Sequence, residues 1–372
     1  MKKILFLTTI PSPYRVAFFN EWGKYCDLTV AFEKKASSER DNSWKNVDVK
    51  NFNPIFLKGI SVKANKAFCP SIINILSKEK FDVIIIGGYN TPTAMLASEW
   101  LKKNNIPYIL SADGGYIKKD NWIIRKLKNH YISAASMWIC TSEKTKEYFL
   151  YYGALKNKVY KYPFTSLSEN KILERPISII EKKELKKKLN ILEEKVVLAV
   201  GQFIDRKGFD ILLKASKNFS EDIGVYFIGG NATKEYQQIV KDYDLKRIHF
   251  LNFMESDKLA EYYKASDLFA FPTREDIWGL VINEAAAYGL PIVTTKECIA
   301  GLEMVTEENG KIIEADNIEE LSSTIIRILN NNNLIKRMAE FSIQIAKKYT
   351  FENMAKVHME IIEEFCKFYG KK

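Results

Sequence analysis

Asp276 and Glu284, with seven residues between them, bracket a stretch rich in residue types that do chemistry. The apolar run Leu268 to Phe271, stopped by Pro272, predicts a buried strand. A charged turn follows, then a helix from about Gly279 to Tyr288, ended by Gly289 and Pro291. Ile292 to Thr294 predicts the next buried strand, so the whole is a βαβ unit of a parallel sheet. Ligands of open α/β sheets bind beyond the carboxyl ends of the strands, where the turn 273–279 lies. That turn carries carboxylates, the bulky Trp278 and Gly279, and the free amides of the helix it opens would face an anion.

The stretch resembles the signature of family 4 retaining glycosyltransferases, a group with the two-Rossmann-domain (GT-B) fold. In that signature two acidic residues with seven others between them precede Ala and a Gly-x-Pro. Here the pair is Asp276 and Glu284, followed by Ala285 and Gly289-Leu290-Pro291. Asp276 stands where the family usually has Glu, and Glu275 has the usual type one position early, so both are candidates. The resemblance implies a nucleotide-sugar donor held by this segment. The amides of Leu280 and Val281 would take its diphosphate, Glu284 its ribose hydroxyls, and Asp276 its sugar, with Trp278 and Gly279 as further donor contacts. The plainer alternative makes Glu284 a solvated helix residue and Asp276 a helix cap.

Val200-Gly201-Gln202-Phe203-Ile204-Asp205-Arg206-Lys207-Gly208 resembles the first donor loop of the same family. Lys207 would place a point charge on the departing diphosphate, and Gly201 would let the backbone come close. Gln202 stands where the family usually has Arg, and Arg206 is the neighbouring cation that can replace it. The alternative is a surface turn. No Ser or Thr follows Lys207, which separates this loop from the nucleoside-triphosphate P-loop.

Asp113, in Ser111-Ala112-Asp113-Gly114-Gly115, ends a predicted strand where relatives often carry a His; it is a catalytic or substrate-contact candidate, or a plain turn residue. Arg15, at the first strand–helix turn, is a contact for donor phosphate or acceptor, or a helix-surface residue. Tyr14, Tyr89 and Asn90 complete the acceptor-side candidates. His130, His249 and His358 fall in predicted helices or strands away from strand ends. Asp242-Tyr243-Asp244 spells a metal-binding motif of another glycosyltransferase fold, but between a helix and a strand it reads as a solvated turn. No metal and no cofactor are expected, the nucleotide-sugar being a substrate. Trp122-Ile123-Ile124-Arg125-Lys126-Leu127-Lys128 mixes apolar and basic residues at helical spacing. Docking on an anionic membrane is one reading of it; an amphipathic helix with its apolar side in the core is the preferred one.

The 372 residues suggest two domains, with 47% hydrophobic residues sufficient for packed cores. No apolar run approaches a membrane span, and Met1-Lys2-Lys3-Ile4-Leu5-Phe6-Leu7 reads as a first strand rather than a signal peptide. Five scattered cysteines without a Cys-x-x-Cys fit a reduced, cytoplasmic protein without a zinc site. A net charge of +10 points to phosphorylated substrates or peripheral contact with an anionic inner membrane face. Nucleic acid is the weakest of the partners such a charge invites, no recognition motif being evident, and none is expected.

Strand and helix signals alternate in both halves, which predicts two facing Rossmann-like domains, each a parallel sheet flanked by helices. The boundaries expected are 1–175 for an acceptor-binding domain, 176–355 for a nucleotide-sugar-binding domain, and 356–372 for a C-terminal helix crossing back to the first. Residues 34–53 are expected to be a loop. The charged helix Glu181–Leu189 is expected to present its lysines to solvent. The function implied by the resemblance is transfer of a sugar from a nucleotide-sugar, UDP-sugar favoured, to a glycan or lipid-linked saccharide with retention of configuration. Cell-surface polysaccharide synthesis is its expected setting. A nucleotide-sugar 2-epimerase of the same fold and a catalytically silent sugar-nucleotide binder are the alternatives.

Overall fold

A computed structural model describes residues 1–35, 48–63 and 66–370, in two compact units. The first contains Met1–Ser166 and Thr350–Lys372, the second Leu167–Tyr349.

The strands of the first unit are β1 (Lys3–Thr8), β2 (Asp27–Phe32), β3 (Asn53–Phe56), β4 (Ile60–Lys63), β5 (Lys66–Phe68), β6 (Val83–Gly87), β7 (Ile109–Ala112), β8 (Met137–Cys140) and β9 (Val159–Lys161). Seven of them form one sheet in the order β3-β2-β1-β6-β7-β8-β9, all neighbours parallel, while β4 and β5 pair as a separate antiparallel hairpin. The continuous apolar runs of the central strands follow from helices covering both faces of a parallel sheet. The final helix, Phe351–Tyr369, buries Met354, Ala355, His358, Ile361, Ile362 and Phe365, a stripe at three- and four-residue spacing. It packs on the first helix, Pro13–Trp22, where the Trp22 indole N–H donates to Met359 Sδ at 3.3 Å and the His358 ring sits 4.9 Å from Phe18 and 5.0 Å from Trp22.

In the second unit, β10 (Lys195–Val200), β11 (Ile223–Ile228), β12 (Ile248–Leu251), β13 (Leu268–Phe271), β14 (Ile292–Thr295) and β15 (Gly310–Ile313) form an all-parallel sheet in the order β12-β11-β10-β13-β14-β15. The chain runs outward from β10 to β12, then returns to the other side of β10 with β13. The carboxyl ends of β10 and β13 therefore flank the point where strand order reverses, the place where ligands bind in sheets of this kind.

Most expected elements lie within two residues of their observed limits, the helix Pro92–Lys103 and the strands β8, β12 and β13 among them. Of the loop expected over 34–53, residues 36–47 lie outside the described residues, and Asn53 already belongs to β3. The short β3, β4 and β5, mostly half-buried or exposed, lacked an apolar run to announce them. The lysines of the helix Ile179–Lys188 are not all solvated. Lys182 and Lys186 donate to Asp267 at 2.7 and 2.8 Å, and the backbone N–H of Val196 donates to the same carboxylate at 2.9 Å. Asp267 precedes β13, so this buried anchor pins the charged helix to the amino ends of the central strands β10 and β13 instead of leaving it in water.

Candidate functional site

The two loops singled out in the second half meet at the β10/β13 switch point. Gly208 makes this possible: its φ is +64°, and a Cβ there would lie 2.0 Å from the Pro272 carbonyl oxygen. Backbone bonds then join the loops, the Arg274 N–H donating to the Arg206 carbonyl at 2.8 Å and the Thr273 hydroxyl to the same oxygen at 2.7 Å. Arg206 returns a bond of 3.1 Å to the Glu275 carbonyl.

Within this seam Lys207 and Asp276 are brought together. The Lys207 ammonium donates to Asp276 Oδ2 and lies 4.7 Å from the centre of the Phe271 ring. Both side chains are largely buried, whereas Arg206, 3.7 Å from the same oxygen, is about half exposed. Gly279 follows at φ +96°, where a Cβ would also lie 2.9 Å from Cys298 Sγ. It opens the helix Leu280–Ala287 without a side-chain cap, so the first amides of that helix keep their partial positive charge for an external anion. An ammonium and an uncapped helix start on one loop pair form an arrangement for a phosphate group.

Glu284, one turn into the helix, accepts the Tyr263 hydroxyl at 2.9 Å. Burial first, and the carboxylate second, push the Tyr263 phenol well above its ordinary pKa, so it stays a donor that fixes Glu284 in place. Gln202, Glu275 and Arg206 are exposed along the rim, and Gly201 directly follows β10. Trp278 is different: its ring is buried, its N–H donates to Asn283 Oδ1 at 2.8 Å, and it packs 6.3 Å from Tyr349. It shapes the helix start from inside.

Sequence reasoning passed over Arg274, which holds the two loops together. Its guanidinium donates to both oxygens of Asp210 at 2.9 and 2.8 Å, to Asp316 at 2.7 Å and to the Asp205 carbonyl at 2.7 Å. Burial alone would raise the Asp210 carboxyl, but the Arg274 guanidinium outweighs it and holds Asp210 below the usual carboxylate range. The available signal was an Arg and an Asp, each placed within two residues of a loop glycine or proline.

In the first unit, Arg15 and Asp113 form a second cluster at the carboxyl ends of the strands. Arg15 is only 7% exposed, which removes the helix-surface alternative. It donates to Asp113 Oδ1 between the rings of Phe164 and Phe6, 5.3 and 5.9 Å from their centres. The Tyr162 hydroxyl donates to the same oxygen at 3.0 Å, and the Thr141 hydroxyl to the Asp113 carbonyl at 2.8 Å. Arg15 Nη1 is buried with no hydrogen-bond partner among the described residues. Behind it, the His358 ring lies 4.5 Å from Tyr162 and donates from Nδ1 to the Met354 carbonyl at 2.8 Å. Burial pushes its pKa down to about 3, so it is neutral. Tyr162, which directly follows β9, and His358, on the final helix, were not singled out as site residues, since their approach to Asp113 joins positions far apart in the chain. Tyr14 packs edge-on at 5.7 Å against Phe164, Tyr89 shares a hydrogen bond with Tyr148, and Asn90 is exposed. Asp242 ends the helix Lys234–Asp242, and Tyr243 and Asp244 form the turn after it, with Tyr243 exposed. Among the described residues no group of three His, Cys, Asp or Glu gathers as a metal site, and no helix is long and apolar enough to cross a membrane.

The seam lies at the switch point of a doubly wound sheet, where ligands of open α/β sheets bind. Residues 181–345 match the family described as Glycosyl transferases group 1. The chain is 27% identical over 332 residues to an uncharacterized glycosyltransferase of Methanocaldococcus jannaschii, spanning 88% of each. Among solved structures it is similar to a glycosyltransferase from Rickettsia africae, with a TM-score of 0.78 at 16% identity over 98% of this chain and 99% of that one. It is also similar to HepE of Anabaena in complex with UDP, with a TM-score of 0.77 at 18% identity over 98% of this chain and 100% of that one. The fold is that of the GT-B glycosyltransferases.

Proposed function

We propose that the protein is a retaining, metal-independent glycosyltransferase whose second unit binds a nucleotide-sugar donor, UDP-sugar favoured, and whose first unit receives a glycan or lipid-linked saccharide acceptor. The observation that carries this reading is the Lys207–Asp276 pair beside the uncapped helix start at the β10/β13 switch point. The diphosphate would take Lys207 and the amides of Leu280 and Val281, the ribose Glu284, and the sugar Asp276. As the bond from sugar C1 to the diphosphate oxygen breaks, the diphosphate leaves with the electron pair, the acceptor hydroxyl oxygen bonds to C1, and the hydroxyl proton passes to the departing diphosphate oxygen. Lys207 and the helix start stabilise the charge that grows on the leaving group. The UDP found with HepE supports uracil as the base. Retention of configuration and a setting in cell-surface polysaccharide synthesis rest on the resemblance of the 276–291 segment to family 4 enzymes.

The test is release of nucleoside diphosphate from a panel of nucleotide-sugars, with and without saccharide acceptors and with and without a chelator. Acceptor-stimulated release from one donor that survives chelation, and a product retaining the donor's anomeric configuration, are expected. Interconversion of the donor without acceptor would instead identify an epimerase, and neither turnover nor hydrolysis a silent binder.

A further inference from the structure

The helix Pro13–Trp22 starts beyond the carboxyl end of β1 with backbone donors to spare. Its first residue is a proline, which has no N–H, and the bond from the Val16 N–H to the Ser12 carbonyl, at 3.0 Å, is the first within it. The amides of Tyr14 and Arg15 precede that bond, so no carbonyl inside the helix receives them. Ser12, at the cap position, makes no side-chain cap bond. Pro13 is exposed and Tyr14 half-buried, which leaves this helix start open to solvent. A helix start by itself selects nothing; Arg15 sets this one apart. Side chains of a helix lean back toward its N-terminus, which carries the guanidinium of Arg15 past the helix start. Its bond to Asp113, just after β7, shows that it points to the carboxyl ends of the strands. Asp113 takes Nη2 alone. Nη1 is buried and has no hydrogen-bond partner among the described residues.

A buried donor left unmade costs about 1–3 kcal/mol, and more when it is charged; a ligand oxygen on Nη1 removes that cost. The charge balance favours an oxyanion. Arg15 and Asp113 cancel, the His358 ring behind them is neutral, and the helix start adds roughly half a positive charge. Asp113 opposes an incoming anion, but its Oδ1 is already engaged by Arg15 and by the Tyr162 hydroxyl. A group with two or more anionic oxygens can place one on the amides of Tyr14 and Arg15 and another on Nη1. A phosphate monoester and a carboxylate both have that form; a single sugar hydroxyl does not.

We propose that Arg15 and the start of the helix Pro13–Trp22 form an oxyanion site, and that the acceptor is therefore an acidic saccharide, phosphorylated or bearing a carboxylate. Naming the acceptor rests on the reading of the first unit as the acceptor side; the anion site itself is independent of the donor seam. The test is calorimetric titration of the full chain carrying Lys207→Ala, which removes the ammonium of the donor seam. The probes are inorganic phosphate, D-glucuronate and, as the neutral control, D-glucose. At least one of the two anions binds and glucose does not; phosphate alone points to a phosphorylated acceptor, glucuronate alone to a uronic acid. Adding Arg15→Met weakens binding at least about tenfold, through loss of a charge-assisted bond. Adding Asp113→Asn strengthens it about threefold or more, because the carboxylate that competes for the guanidinium is gone. Tyr162→Phe changes it less than about twofold, since that hydroxyl touches Asp113 and not the anion. A purely structural Arg15–Asp113 pair gives the opposite sign for Asp113→Asn, which then decides the matter should Arg15→Met fail to fold. Binding of neither anion, binding unchanged in a folded Arg15→Met, or binding that Asp113→Asn weakens or leaves as it was overturns the proposal. Failure of the wild type to bind uridine diphosphate would refute the donor reading and leave each of these outcomes as decisive as before.

Discussion

Replacing Arg274 with Met tests how the donor loops are held. Arg274 is the shared partner of Asp205, Asp210 and Asp316, and it joins the loop after β10 to the loop after β13. In the variant Asp210, whose side chain is only 10% exposed, keeps one cation, Lys214 at 3.4 Å. Removing one partner of a buried pair costs about 3–5 kcal/mol. Arg274 is itself about a quarter exposed and Lys214 remains, so the loss here should be about 2–3 kcal/mol. For a domain of this size that is a fall in melting temperature of roughly 5–10 °C, read by circular dichroism at neutral pH. Asp316→Asn removes an exposed partner and should cost under about 1 kcal/mol. In a double-mutant cycle, Arg274→Met and Asp210→Asn should be strongly non-additive. The pH dependence has a definite sign. The Asp210 carboxyl titrates below its unfolded value, so its contribution is complete above about pH 4 and is lost as pH falls through the folded pKa. The wild-type advantage over Arg274→Met should shrink only below about pH 4. A variant that melts within about 1 °C of wild type, or an Asp316→Asn as damaging as Arg274→Met, would refute the reasoning.

Other outcomes follow from the same physics. His358 is neutral when folded, with its pKa pushed down to about 3, and ordinary when unfolded, so protons favour the unfolded chain between those two values. Wild type should therefore lose up to about 1.4 kcal/mol per pH unit relative to His358→Gln as pH falls below about 6.5, measured as paired melting curves. Asp267→Asn leaves Lys182 and Lys186 without their acid and should destabilise the protein by roughly 2–4 kcal/mol, seen by urea denaturation. Cys26, Cys140 and Cys298 are buried and pushed up to about 12, and Cys69 is buried and raised, whereas Cys366 is partly exposed. Brief alkylation of the native protein should therefore mark Cys366 alone, as mass spectrometry of peptides would show; quantitative labelling of Cys298 would contradict the burial described.

What was legible in the sequence was what period and punctuation encode. Continuous apolar runs such as Val83–Ile86 and Leu268–Phe271 are strands because both faces of a parallel sheet are covered, and Gly289 and Pro291 end a helix for reasons local to the chain. The loop partnership of Lys207 with Asp276 was foreseen from motif order, though not that the two would touch. Arg274 was opaque because its partners are 42, 64 and 69 positions away, and no local rule selects among so many acids. The pairing of Arg15 with Asp113 spans 98 positions and was invisible for the same reason. The helix at 122 misled because its pattern is amphipathic in the ordinary sense, yet Trp122, Ile123, Ile124 and Leu127 are exposed and Ile132 is its one buried residue; periodicity says that two faces differ, and only packing says how much of either is covered.

The most direct test of the account is calorimetric titration of the full chain with uridine diphosphate and its sugars, compared with Lys207→Ala, Glu284→Ala and Asp113→Asn. The account predicts binding that Lys207→Ala and Glu284→Ala each weaken at least tenfold, about 1.4 kcal/mol or more, while Asp113→Asn, in the other unit, changes it less than about twofold. Absence of binding by any nucleoside diphosphate, or binding that survives both substitutions in the second unit, would contradict it.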